Sequence, residues 1–491
     1  MMSRFPTRPL LLSAAAASAL AACAQVPNLG ARPEVRAADS YAAGQSLAGT
    51  AQSQAQWPVT NWWTAYNDPQ LNALMDEAFR GAPNLAAAAA RLRSAQAYAV
   101  QVGAARLPRV DASASAAANQ INVGDGLPIE IGSNVQTLGY GTLNLSFDLD
   151  IWGKNRAQLA AATSEAEAAR LELEQARLAL STNIAAAYAD LARLAADRRV
   201  QERALEVRLA TQKLVTDRVT NGLETRAEEK QAASAVPAAR AQLAAIDEDI
   251  GLTRNRIAAL LGQGPDRGLS IALPAAPTEA RGIPADVTTN LIGRRPDVAA
   301  ARARVEAAAS RIKAARADFY PSIRLSALAG YGALGLDNLV KGNGASVFQA
   351  GPAISLPIFH GGELRGQYAR ARATYDEAVA NYDNSVTTAY HDVADAVTSQ
   401  KALATRLAQS RQALDDSEQA YSIAQQRYQG GLSRFLDVLT AEERVLQNRQ
   451  IVAGLEARAF ALDVQLVRAL GGGFSTNNAA AAAASEVKTH G

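Results

Sequence analysis

Cysteine is all but missing from this 491-residue chain: Cys23 stands alone, which excludes an internal disulfide framework and any thiolate metal cluster. Histidine is nearly as scarce. With only His360, His391 and His490 available, metal-ligand sets and acid–base pairs are poorly provided for, and His360 and His391 read as structural. No Gly-rich phosphate loop or nucleophile–base pair emerges either, so the expectation is no enzyme, no cofactor and no bound metal. Aromatic residues make up 5% of the chain. Hydrophobic residues reach 48%, but much of that is alanine, which favours long, closely packed helices over a bulky aromatic core. Neither sign of charge dominates, with 49 Lys and Arg against 47 Asp and Glu, so nothing points to nucleic acid as a partner.

What is present begins at the N-terminus. Arg4 and Arg8 precede an apolar run from Leu10 to Ala22, too short to span a bilayer as a helix but of signal-peptide length. The run ends Leu20-Ala21-Ala22-Cys23, which resembles the bacterial lipobox, in which the cysteine is lipidated and becomes the mature N-terminus. Ala24 rather than Asp follows it, which by resemblance to Gram-negative lipoproteins leaves outer-membrane sorting as the default. A lipid chain contributes roughly 0.8 kcal/mol per buried CH₂, so several chains hold a protein at a membrane. The expected organisation therefore starts with a signal peptide (1–22) and a lipidated tether (23–56) rich in Ala, Gly, Ser, Gln and Pro. A disordered tail (474–491) closes the chain.

Between these ends the sequence repeats itself. "PNLAAAAARLRSAQA" from Pro83 is echoed by "PDVAAARARVEAAAS" from Pro296, an offset of 213 that also carries Pro108 onto Pro321. At an offset of 209, Gly153 matches Gly362, Arg218-x-x-x-Gly222-Leu223 matches Arg427-x-x-x-Gly431-Leu432, and Leu261-Gly262 matches Leu470-Gly471. The first repeat divides into helices (57–108), a β-hairpin (109–152) and long helices (153–262), followed by a linker (263–284). The second divides into a helix (285–321), a β-hairpin (322–360) and long helices (361–473).

Period separates strand from helix. Leu143, Leu145, Phe147, Leu149 and Ile151 alternate with Thr142, Asn144, Ser146, Asp148 and Asp150, a strand with one apolar and one polar face and the length of a tilted transmembrane strand. Weaker companions are Arg109 to Asn122, Ser322 to Leu334 and Ser346 to Phe359, the last weakened by Pro352 and Pro357. Polar, Gly-rich stretches at 123–134 and 335–345 are the expected hairpin loops. Lys154 to Asn221 contains neither Gly nor Pro, and one helix of that length would extend about 100 Å. Within it Leu180, Ile184, Ala187, Leu191 and Leu194 step as a coiled-coil seam. Pairing Tyr188 with Tyr390 implies a seven-residue slip between the halves, recovered before the next turn.

Four amphipathic strands in an open sheet would leave edge N–H and C=O groups unsatisfied in hydrocarbon, so copies must join to close a barrel. A dimer giving eight strands or a trimer giving twelve would serve. A soluble coiled-coil scaffold would account for the helices but not for the strict alternation or the export signal.

At this point the sequence resembles the outer-membrane factor family of TolC/OprM type, in its NodT-type lipoprotein branch. The likeness rests on Trp62-Trp63 through Asp68-Pro69-x-Leu71, Phe147-x-Leu149-Asp150-Ile151-Trp152-Gly153, Arg294-Arg295-Pro296-Asp297 and Phe319-Tyr320-Pro321-Ser322-Ile323. It continues in Leu356-Pro357-Ile358-Phe359 with Gly361-Gly362, Arg427-Tyr428-x-x-Gly431-Leu432 and Ala469-Leu470-Gly471-Gly472-Gly473. The resemblance implies a mixed α and β membrane protein: a homotrimer with a twelve-stranded barrel, four strands per chain, continued by an α-helical coiled-coil periplasmic tunnel. It implies an outer-membrane efflux channel that is lipid-anchored in a Gram-negative bacterium and conducts drugs or other small molecules from a periplasmic adaptor and an inner-membrane RND-type pump. The same architecture serves type I protein secretion and metal-ion efflux. By the same resemblance Cys23 carries the palmitate-type lipid, and Gly222, Leu223, Gly430, Gly431 and Leu432 form hairpin tips that dock the adaptor. Asp437 is expected at the tunnel's periplasmic aperture, where Thr440 replaces a second aspartate. Glu228 sits at the equivalent repeat position, and Arg218 and Arg427 are expected to pair with nearby carboxylates.

Overall fold

The computed structural model describes residues 26–36, 40–41, 46, 56–119, 136–274, 292–334, 338, 341 and 344–475. The signal peptide, Cys23, the hairpin loop at 123–134, most of the 335–345 loop and the tail from 476 lie outside the described residues. Helices dominate: α1 (Pro69–Gly81), α2 (Pro83–Gly103), α3 (Lys154–Thr220), α4 (Arg226–Leu260), α5 (Pro296–Ala317), α6 (Glu363–Gln429) and α7 (Phe435–Ala469). The strands are β1 (Arg109–Asn119), β2 (Gln136–Leu149), β3 (Ser322–Leu334) and β4 (Ala345–Ser355). The chain divides into two compact units, one of residues 1–35, 92–168 and 301–382, the other of residues 36–91, 169–300 and 383–491.

The first unit holds one antiparallel sheet in the order β1-β2-β3-β4, so β1 and β4 are its edges. Its register sorts side chains by chemistry. Val110 lies opposite Leu145, Leu143 opposite Ala329, Phe147 opposite Leu325, and Ile323 opposite Ile354, all on one face. The other face pairs Ser113 with Thr142 and Asp148 with Arg324, whose Nε and Oδ1 are 2.6 Å apart. Ser113, Thr142 and Asn144 hydrogen-bond one another across it at 2.8 to 3.2 Å. Within the chain alone the apolar face is open to solvent, with Phe348 78% and Ile354 69% exposed. β2 starts six residues earlier than its alternation predicts, and β4 stops at Ser355, short of Pro357. Pro352 stays inside β4 because an edge strand tolerates a residue that cannot donate.

Residues of the segment read as a tether pack in this unit. Val26 packs on the cluster of Ile312, Phe319 and Tyr368. Arg372, 7% exposed, donates to the carbonyls of Gly30 (3.4 Å) and Ala31, and the Tyr375 hydroxyl donates to Pro33 O at 3.3 Å. At the strand-to-helix junction Trp152 stacks on Tyr320 at 4.7 Å and donates its Nε1–H to Pro321 O at 2.7 Å.

The second unit is a helical core. The predicted seam residues Leu180, Ile184, Ala187, Leu191 and Leu194 are all buried in one cluster with Trp62, Leu71, Ile257 and Phe460. Asp68 caps α1 by accepting from Gln70 N (2.9 Å) and Leu71 N (3.0 Å), and its other oxygen accepts from the Tyr188 hydroxyl at 2.6 Å. Arg295 is 7% exposed and bridges Asp297 and Asp392, each at 2.8 Å, which gives the Arg-Arg-Pro-Asp motif a structural role. At Gly471 a Cβ would lie 1.9 Å from the Arg294 carbonyl, so only glycine fits, and its φ of +84° favours glycine independently.

α3 and α6 each contain 67 residues, and α4 and α7 each contain 35. The expected seven-residue slip is therefore corrected: both long helices start and stop 209 residues apart, and the partner of Tyr188 in that register is Val397. Tyr390 lies one heptad earlier, on the same helix face. Heptad sequences resemble themselves when shifted by seven, which is how the misalignment arises.

Candidate functional site

The ends of the two helical hairpins are built alike. After α3, Gly222 N–H donates to Val219 O at 3.0 Å and Leu223 N–H to Arg218 O at 2.9 Å. After α6, Gly431 N–H donates to Tyr428 O at 3.0 Å and Leu432 N–H to Arg427 O at 2.8 Å. This 6→1 plus 5→2 pattern is the Schellman helix ending, and it needs a left-handed residue at the glycine. The φ values are +72° at Gly222 and +74° at Gly431. The spacing Arg-x-x-x-Gly-Leu is thus the spacing of a helix stop, with the arginine supplying the carbonyl that Leu closes on. Leu223 and Leu432 remain exposed, at 63% and 73%, beside the exposed Gly222, Gly430 and Gly431.

Beneath the turns lies a small core of Val215, Ala232, Tyr428, Phe435 and Val438, which joins the two hairpins. Arg218 crosses it. Its guanidinium sits 4.6 Å from the centre of the Tyr428 ring, its Nη1 donates to Tyr428 O at 3.4 Å, and its Nε lies 3.6 Å from Glu224 Oε1. Burial, with the negative charge of Glu224 added, pushes the Tyr428 hydroxyl up to about 12. The sequence points to a carboxylate partner for Arg218 but not to Tyr428, although Tyr428 belongs to the Arg427-Tyr428-x-x-Gly431-Leu432 motif. Arg427 departs from expectation: it is exposed and makes no ion pair among the described residues, because it is adjacent to Tyr428 in α6 and points away from the core that Tyr428 enters.

Asp437 is the third residue of α7, and its Oδ2 accepts from the Arg434 N–H at 3.1 Å. Glu228 is the third residue of α4, and its carboxylate contacts the Thr225 hydroxyl, which itself accepts from Ala227 N–H at 3.2 Å. Both acids therefore take the third helical position, where a carboxylate suits the positive end of the dipole, but only Asp437 also satisfies a backbone N–H. Asp437 stays exposed, so a carboxylate charge is presented to solvent beside the turns. Thr440 spends its hydroxyl on Leu436 O at 2.9 Å. Of the two histidines in the described residues, His360 lies 3.6 Å from Glu363 and His391 is exposed on α6. No group of His, Cys, Asp and Glu suited to a metal ion occurs among the described residues.

A four-stranded sheet with one apolar and one polar face, together with two long helical hairpins, defines a membrane β-sheet protein with a large helical part. The chain belongs to the outer membrane efflux protein family, whose model matches residues 74–263 and 287–472. It is similar to the solved outer membrane protein VceC of Vibrio cholerae, with 46% identity and a TM-score of 0.80 over 85% of this chain and 100% of that one. It is 30% identical to the multidrug resistance outer membrane protein MdtP of Shigella flexneri over 85% of this chain and 87% of the relative. It is 37% identical to the fusaric acid resistance protein FusA of Burkholderia cepacia over 70% of this chain, a match that spans 64% of the relative's length. The protein is accordingly an outer-membrane efflux channel.

Proposed function

We propose that three copies of the chain close a twelve-stranded barrel through β1–β4 edge pairing, with the paired hairpins forming a periplasmic tunnel. A periplasmic adaptor docks at the tips around Gly222, Leu223, Gly430, Gly431 and Leu432, and an inner-membrane RND-type pump delivers small organic molecules, drugs among them. The channel itself performs no chemistry. The sheet carries this reading: its apolar face suits lipid, its polar face suits a wet lumen, and its two edges need partners that hydrocarbon does not provide. The names of the relatives, multidrug and fusaric acid resistance, support small organic molecules as substrates. The repeated element lengths support two tandem repeats per chain. Cys23 adds a lipid tether to a protein the barrel already holds in the membrane. Deletion of the gene, tested for drug susceptibility and complemented with the intact chain, tests the reading: restored resistance is expected, and unchanged susceptibility overturns drug export.

A further inference from the structure

We propose that Glu442 is a proton-binding site between the two helical hairpins, and that its protonation tightens their packing. Glu442 stands on α7, eight residues into the helix, with its side chain 4% exposed. Its Oε1 lies 3.5 Å from Arg208 Nε of α3. Its Oε2 has no hydrogen-bond partner, and neither has the Arg208 Nε–H. The ionised acid thus has one long, poorly aligned charge contact and one bare oxygen.

The surroundings come from all four long helices. Arg208 also reaches the Ala235 carbonyl of α4 at 3.4 Å. Burial and then the negative charge of Glu442 push the Tyr421 hydroxyl of α6 up, with Thr211 of α3 opposing the rise. Glu443 adds like charge from α7, while Arg449 is engaged with Glu418 at 2.7 Å. Arg208 is 20% exposed and so keeps part of its hydration whichever state Glu442 adopts. Assembly with further copies can only bury the acid more.

A buried carboxylate whose Coulomb contact is loose does not recover its desolvation cost. The neutral acid avoids that cost. Burial accordingly pushes the Glu442 carboxyl above the ordinary carboxylate range; Arg208 opposes the rise only in part, and Glu443 adds to it. A carboxyl raised in the folded state contributes stability that is fully present below its unfolded pKa, about 4.3, and is lost as pH rises through the folded value. Acid therefore favours the packed hairpins. Resting on the proposed reading of the hairpin ends as the tunnel mouth, this makes the mouth tighter in an acidified periplasm.

The test uses the purified protein in detergent, as wild type, Glu442→Gln and Glu442→Leu. Infrared pH-difference spectra read the protonated carboxyl directly, and hydrogen exchange of the backbone near Arg208 and Glu442, corrected for intrinsic rates, reads the packing. The proposal expects a carboxyl band titrating above about 4.3 that Glu442→Gln removes. It also expects wild-type protection to fall several-fold as pH rises through that midpoint, while both variants keep the acid-level protection throughout. A band that survives in Glu442→Gln, or an unchanged pH profile in both variants, overturns it. Both readouts are independent of conduction, so failure of the channel reading is distinguishable from failure of this one.

Discussion

The guanidinium of Arg218 rests 4.6 Å from the centre of the Tyr428 ring, joining two residues that lie at the ends of different helical hairpins. Such contacts contribute about 0.5–2 kcal/mol, depending on desolvation. Arg218→Ala should loosen the hairpin ends, and so should Tyr428→Leu. A double-mutant cycle read by hydrogen exchange near Val215 and Val438 should return a coupling in that range, whereas strict additivity would mean the stacking is incidental.

Tyr428 also fixes an alkaline limit. Because its hydroxyl is pushed up to about 12, its packing contribution is fully present below the ordinary tyrosine value of about 10 and is lost as pH rises through about 12. A phenolate absorbance titration should lose one of its late components in Tyr428→Phe, while Tyr188 and Tyr421, also raised, keep theirs. An identical curve in the variant would place that component on another tyrosine.

At Gly431 nothing lies within 4 Å of an added Cβ, so substitution there meets strain from φ and no clash. The cost of a left-handed non-glycine residue is about 1–2 kcal/mol. Gly431→Trp should therefore leave the proposed trimer intact in native electrophoresis while its protruding indole impairs cross-linking to the proposed adaptor. Unimpaired cross-linking would remove Gly431 from the docking surface.

Asp437 combines a helix-start hydrogen bond with a free charge, and two substitutions separate them. Asp437→Asn keeps an acceptor for the Arg434 N–H but drops the charge, whereas Asp437→Ala removes both and should cost about 1 kcal/mol. If the charge serves the aperture, Asp437→Asn changes ion selectivity in planar bilayers with little change in thermal stability. Unchanged selectivity would leave the residue a helix cap only.

Arg372 holds the N-terminal residues by their carbonyls. Arg372→Ala should free them and speed tryptic cleavage after Arg36, whose side chain is 68% exposed, with Arg372→Lys intermediate because it replaces a fork with a single cation. Equal cleavage rates in all three proteins would show that other contacts hold the segment.

How far the sequence could be read depended on whether a signal was local. The Leu180 to Leu194 seam and the alternation of β2 are written at short range: the seam is buried as its period predicts, and β2 covers Thr142 to Leu149 of the predicted run but begins at Gln136. Seven of the eleven β1 residues are Ala or Ser, so its alternation is faint until the register shows Val110 opposite Leu145. At the site, the glycine stops were legible because a left-handed turn restricts residue type. The Arg218–Tyr428 contact was not, since it joins positions some 210 residues apart. Glu442 gave no warning at all: in a heptad sequence a glutamate reads as solvated surface, and only the packing of four helices shows that it is buried.

The equal helix lengths carry an evolutionary constraint. A seven-residue insertion into α3 alone would keep its seam in phase yet move its turn about 10 Å past that of α6. Arg218 would then face no tyrosine ring, and the Val215–Phe435 core would come apart. Length change in this protein is therefore a concerted event, requiring the same heptad in α3, α4, α6 and α7 together. Variation among relatives should accumulate in loops and termini while the four helices hold a common gauge.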